Sequence, residues 1–176
     1  MKSNLIDNIY GVGGNKIWNT IYESDFSADT DGWNSSGISS GNNDGILGED
    51  DCFKLEVSGI VLPSYIMSSN KTLQGYTVGK LQRATGKIYV PSGQSEITGF
   101  SVNIHPATTE ASQIYSGLGQ NGSWVEFETT YTLANQSIIF IRPVNSNGVE
   151  WNDYAYLTSA ANGDILYWKD IVIEDY

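Results

Sequence analysis

Apolar residues recur along this chain with a period of two, in short runs set between turns rich in glycine, asparagine and serine. Over residues 52–57 the order Cys-Phe-Lys-Leu-Glu-Val puts Phe53, Leu55 and Val57 on one face, the alternation of a half-buried strand. Residues 97–104 repeat the pattern with Phe100, Val102 and Ile104, and 124–133 with Val125, Phe127, Tyr131 and Leu133. Further strands are predicted over 21–26, 60–67, 86–90, 138–144 and 164–174. Of these, 138–144 is the most apolar, and Pro63 marks an edge or bend in 60–67, because proline cannot donate to a ladder. Strands of this length and spacing, roughly eight to ten of them, predict an all-β sandwich.

The first twenty residues read differently. Gly11-Val12-Gly13-Gly14 interrupts them, so a long helix is excluded, while Ile6, Ile9, Tyr10, Ile17 and Trp18 are too apolar for a solvated tail. The expected division is a leader over 1–20 and a sandwich over 21–176. The leader is either an arm that packs on other subunits or a first strand of the same domain.

Composition narrows the function. Only 16% of residues are charged, aromatics reach 12%, and the 19 glycines suit short strands and polar turns better than helices. The net charge of −11 comes with nine dispersed Lys and Arg residues, which excludes the clustered cations that nucleic acid or an anionic membrane requires. No run is apolar enough for a signal peptide or a membrane span. Cys52 has no partner for an intramolecular disulfide, and Glu49, Asp50 and Asp51 beside it raise a thiol pKa, against a nucleophilic role. The one histidine, His105, precedes Pro106 at a strand end with no partner assignable from spacing. Glu126 and Glu128 share a strand face, the arrangement of a solvated surface more than of paired glycosidase acids. The chain is therefore expected to be a non-enzyme.

Four segments in order carry a resemblance. They are Asp25-Phe26-Ser27-Ala28-Asp29-Thr30-Asp31-Gly32-Trp33, Gly86-Lys87-Ile88-Tyr89-Val90, Gly122-Ser123-Trp124-Val125-Glu126-Phe127, and the closing Ile165-Leu166-Tyr167-Trp168-Lys169-Asp170-Ile171-Val172-Ile173. This series resembles the jelly-roll carbohydrate-binding modules of families 4, 9 and 22, including those found on bacteriophage virion proteins. Those modules open with a Phe-acid turn leading to Asp-Gly-Trp, carry a Gly-Lys-x-Tyr strand and a mid-chain Trp strand, and close on aromatic-x-Asp-Asp-Val. The resemblance implies a jelly-roll β-sandwich in which Trp33 packs in the core or at a sheet edge. In that fold the first and last strands lie side by side, which brings Asp25 near Asp170. Two carboxylates so placed either stay solvated or share a cation, and calcium prefers such oxygen donors with carbonyls from a turn like 29–32. The resemblance likewise implies a structural calcium on Asp25 and Asp170, although Ser27 stands where the pattern usually has Glu.

Flat aromatic faces with nearby amides, carboxylates and Arg bind sugars. The richest supply is the segment 145–156, with Trp151, Tyr154 and Tyr156 amid Asn152, and with Arg142 on the preceding strand opposite Ile139 and Ile141. These five residues are the expected ligand site, Tyr65 and Tyr76 being secondary candidates; the competing role for Trp151 is to plug the sandwich end or touch another subunit. Two functions are consistent with this reading. One is a virion structural or decoration protein on a capsid, head fibre or tail surface, anchored through the leader and able to bind polysaccharide. The other is a free-standing or excised extracellular carbohydrate-binding module.

Overall fold

The computed structural model describes residues 17–34, 39–57, 69–105, 112–117, 122–132, 138–145 and 162–176. The ten strands are β1 (Asn19–Glu23), β2 (Ser39–Ile46), β3 (Glu49–Glu56), β4 (Ser69–Thr72), β5 (Leu81–Tyr89), β6 (Ile97–His105), β7 (Ser112–Ser116), β8 (Trp124–Thr132), β9 (Ile138–Asn145) and β10 (Ile165–Asp175). No helix occurs among the described residues. Six strands form one sheet, in the order β2-β3-β10-β5-β8 with β1 also on β10, and four form the other, β4-β9-β6-β7. All pairings are antiparallel.

The alternation in the sequence decides which side of each strand is buried. On β5, Gln82, Ala84, Gly86 and Ile88 turn inward and Arg83, Thr85 and Lys87 turn outward. Phe100, Val102 and Ile104 of β6 and Ile139 and Ile141 of β9 meet Phe53, Leu55, Ile88, Trp168, Ile171 and Ile173 of the larger sheet in one core. Its centre is aromatic: Phe53 stacks on Trp168 with centroids 4.2 Å apart, and Trp33 lies 5.5 Å from Trp168. Burying each such ring stabilises by about 1.5–3 kcal/mol.

Two buried carboxylates tie turns to this frame. Asp164 accepts three backbone N–H bonds, from Ser95 (2.9 Å), Glu96 (2.7 Å) and Ile97 (2.8 Å), and so fixes the entry to β6. Asp175 accepts from the Gln82 amide at 2.5 Å and from the Thr77 N–H at 3.1 Å, which holds the C-terminal end of β10.

The leader boundary expected after residue 20 falls inside β1, and Trp18 sits against the Tyr176 ring (5.5 Å) and the Arg83 guanidinium (4.9 Å). β2, β4 and β7 were not visible as strands in the pattern. Each is a polar strand at a sheet edge, where the partner's register and not an apolar face sets the pairing. The strand expected over 60–67, and Leu133, lie outside the described residues.

Gly86 is glycine for lack of space. A Cβ there would sit 2.4 Å from Ile171 Cδ1 and 2.8 Å from the Phe127 ring. Gly86→Ala is expected to lower stability by about 1–3 kcal/mol through overpacking. Urea denaturation checks this, with a lower midpoint at an unchanged m-value expected.

Candidate functional site

The smaller sheet's outer face is built by β6 and β9. With Ile139 and Ile141 in the core, Phe140 and Arg142 point the other way, and the register sets Ser101 opposite Arg142 and Asn103 opposite Phe140. The Arg142 guanidinium lies 5.0 Å from the centre of the Phe140 ring, a cation–π arrangement. Ser101 and Asn103 are polar yet 0% and 1% exposed. Asn103 donates to Ser101 Oγ at 2.9 Å, while its own Oδ1 is buried with no hydrogen-bond partner among the described residues. Sequence reasoning had named only Arg142 here. The alternation through Phe100, Val102 and Ile104 already required Ser101 and Asn103 to face outward, and that was the signal available for them.

Trp151, Asn152, Tyr154 and Tyr156 lie outside the described residues, as does Tyr65. In the chain the four begin six residues after the end of β9 at Asn145, which is itself three residues after Arg142. Tyr76 is half-buried against the core.

The larger sheet's outer face is of another kind. Tyr89 packs between Trp124 (5.6 Å) and Tyr167 (5.9 Å), with Ile46, Cys52 and Ile165 around them. Glu126 and Glu128 do share a face, and they line a depression of about 370 Å³ with Thr85, Gly86, Lys87, Phe127 and Asp170. The charges on this face are mutually engaged. Glu49 meets Lys169 at 3.0 Å and Lys87 at 3.3 Å, while Asp170 meets Lys87 at 3.4 Å and Lys169 at 3.9 Å. The bond from Lys169, then that from Lys87, holds the Glu49 carboxyl below its usual range, and Glu49 in turn raises Lys87. Arg83 meets Glu174 at 2.6 Å and Glu128 at 3.6 Å.

Asp25 and Asp170 each adjoin a residue of one cross-strand pair. The Ser24 N–H donates to the Ile171 carbonyl, and the Ile171 N–H donates to Ser24 Oγ, both at 2.9 Å, so positions 25 and 170 flank one cross-strand pair. Each carboxylate is nevertheless turned to a partner of its own. Asp25 accepts from the Ser27 hydroxyl (2.6 Å) and N–H (3.0 Å), which together hold its pKa down, and Asp170 faces the two lysines. Among the described residues no group of three or more His, Cys, Asp or Glu side chains is arranged to hold a metal ion. The described residues at this place do not fit a calcium ion.

No protein-family model matches the sequence, and no curated protein matches it. Solved structures do. The CBM22-1 xylan-binding domain of Paenibacillus barcinonensis Xyn10C superposes with a TM-score of 0.62 at 9% identity, over 91% of this chain and 96% of that one. The fold is that of a carbohydrate-binding-module jelly roll. A Clostridium thermocellum Xyn10B chain joining CBM22-1 and GH10 modules, complexed with xylohexaose, matches with a TM-score of 0.60 at 13% identity. That match covers 91% of this chain and 29% of the longer one. A family 16 carbohydrate-binding module matches with a TM-score of 0.53 at 11% identity, over 88% and 99% of the two chains.

In this jelly roll Cys52 is fully buried, and burial first, with the neighbouring acids, pushes its thiol up to about 11 against a smaller opposing effect of Lys169. Folded protein at mildly alkaline pH is therefore expected to resist a thiol reagent, with rapid labelling only in denaturant. Prompt stoichiometric labelling of the folded chain would refute the placement of Cys52.

Proposed function

We propose that this chain is a non-catalytic polysaccharide-binding module whose ligand lies along the outer face of the smaller sheet. The observation that carries the proposal is Arg142 over Phe140 on the outer side of β9, on a fold shared with a xylan-binding domain. Arg142 supplies hydrogen bonds in the plane of its guanidinium, and Trp151, Tyr154 and Tyr156 of the following segment supply apolar faces for sugar rings, with Asn152 as a further polar contact. The fold itself does not fix this function; the side chains argue for it. The absence of an assignable nucleophile or acid–base pair in the sequence supports a binding role.

Whether the module works on a virion surface or as a free extracellular module is a separate matter. The structural or decoration role, with residues 1–20 as an anchoring arm on other subunits, rests on the apolar leader in the sequence. The two settings separate by co-sedimentation with assembled particles.

The test is affinity electrophoresis and glycan-array binding of the purified chain beside Arg142→Ala and Trp151→Ala. Retardation by at least one plant or microbial polysaccharide is expected. Each variant should weaken it about tenfold, or about 1.4 kcal/mol. Binding that both variants leave intact would remove the site from this face, and binding to no glycan by a folded chain would sink the proposal.

A further inference from the structure

We infer that lysine ammonium groups are the structural cations of this module, with Lys169 and Lys87 at Asp170 and Lys71 at Asp31, and that its fold is independent of calcium at both places. The inference does not draw on the glycan face and stands or falls separately from it.

The Lys169 ammonium lies in a cradle of oxygens such as a metal ion would use. It donates to the Asp50 carbonyl at 2.8 Å, meets the Glu49 carboxylate at 3.0 Å and has Asp170 Oδ1 at 3.9 Å. Lys87 closes the arrangement from the neighbouring strand, 3.3 Å from the other Glu49 oxygen and 3.4 Å from Asp170 Oδ2. The charges thus alternate, and each carboxylate bridges two ammonium groups. A divalent ion at Asp170 would have to displace both lysines or lie beside them against the repulsion of like charges. Lys169 has little freedom to leave, since its side chain is only 14% exposed.

The backbone builds this cradle from three strands. Asp170 sits at the bulge in β10 with φ of 51°, which swings its side chain out of the regular alternation. Glu49 and Asp50 follow the tight turn at Leu47-Gly48 (φ 54° and 82°) that starts β3, and Lys87 comes from β5 on the other side of β10. The three elements are held in place by ladder hydrogen bonds, so the oxygens are preorganised around a cation.

The same solution recurs in the turn after β1. Lys71, from the other sheet, donates to the Asp31 carbonyl, lies 3.4 Å from Asp31 Oδ1 and sits 5.0 Å from the centre of the Tyr22 ring. The second Asp31 oxygen accepts from the Tyr22 hydroxyl at 2.5 Å, and that hydroxyl accepts from Trp33 Nε1 at 2.8 Å. Gly32, with φ of 67°, has the ammonium 3.2 Å from where its Cβ would be. The lysine therefore fills the concave side of the turn.

The sequence departs from the related pattern in the same sense. Set against a pattern that closes on aromatic-x-Asp-Asp-Val, Trp168-Lys169-Asp170-Ile171-Val172 keeps the first acid as Asp170 and has Ile171 in place of the second. Ser27 in place of Glu removes a further carboxylate from the opening turn. Two carboxylates of the pattern are thus replaced by uncharged side chains, which removes negative charge that would attract a divalent ion.

The experiment is thermal unfolding and calcium titration calorimetry on the full chain, alongside Lys169→Met, Lys169→Asp and Lys169→Arg. For the unaltered chain, the same Tm in chelator and in millimolar calcium is expected, with no binding heat. Lys169→Met should lose about 4 °C and Lys169→Arg much less, a shift of the size one lost charged contact gives in a chain this long. Lys169→Asp puts a carboxylate in place of the ammonium and should be the least stable variant in chelator, regaining several degrees in calcium. If it does not fold in chelator, refolding in calcium gives the same readout. A calcium-dependent rise in the Tm of the unaltered chain would overturn the inference. So would a Lys169→Met variant as stable as the parent, or a Lys169→Asp variant indifferent to calcium.

Discussion

The whole sandwich is organised by the last strand, which must satisfy hydrogen bonds along both of its edges while lying across the middle of a sheet. On one edge β10 pairs with β5 over nearly its full length; on the other, no single strand is long enough. β3 takes the first half, Ile165 to Trp168, and β1 takes the second, Val172 to Asp175. The handover falls between, and β10 bulges there, with Asp170 in the left-handed region. An aspartate tolerates that conformation better than most side chains, and the kink turns its carboxylate toward Lys87 and Lys169. Leaving any of these backbone groups unpaired inside the sheet would cost about 1–3 kcal/mol each. The bulge, the split edge and the charge network are thus consequences of one requirement, a central strand with two short neighbours on one side.

That requirement also explains what could be read from sequence and what could not. Strands with one face in the core announce themselves by alternation, and β3, β6, β8, β9 and β10 were legible, as was the second half of β5. The edge strands β2 and β7 were not, because Ser-Ser-Gly-Asn-Asn-Asp-Gly-Ile and Ser-Gln-Ile-Tyr-Ser contain no periodic apolar face. The site was legible only in part. Arg142 could be placed on the face opposite Ile139 and Ile141 by parity alone. Which residues stand across from it depends on the β6–β9 register, and register is a property of two strands together that neither segment states. The lysine partners of Glu49 and Asp170 were hidden for the same reason, being set by cross-strand neighbours far apart in the chain.

The two outer faces differ in the side chains they carry. A sugar-binding surface must offer hydrogen-bonding groups and ring faces that are not consumed by the protein itself, since displacing an existing partner cancels most of the gain from a new one. On the larger sheet the lysines, Glu49 and Asp170 pair with one another, Arg83 pairs with Glu174, and Tyr89 and Tyr167 are both only 8% exposed within their own cluster. That face is occupied in holding β10 and its neighbours together. On the smaller sheet the alternation spends Ile139, Ile141, Phe100 and Val102 on the core and leaves Ser101, Asn103, Phe140 and Arg142 in a row across two strands. Those strands are already secured by their own ladders. Ser101 and Asn103 bond to each other and are 0% and 1% exposed, so the proposed recognition falls to the outer edge of that row, at Phe140 and Arg142.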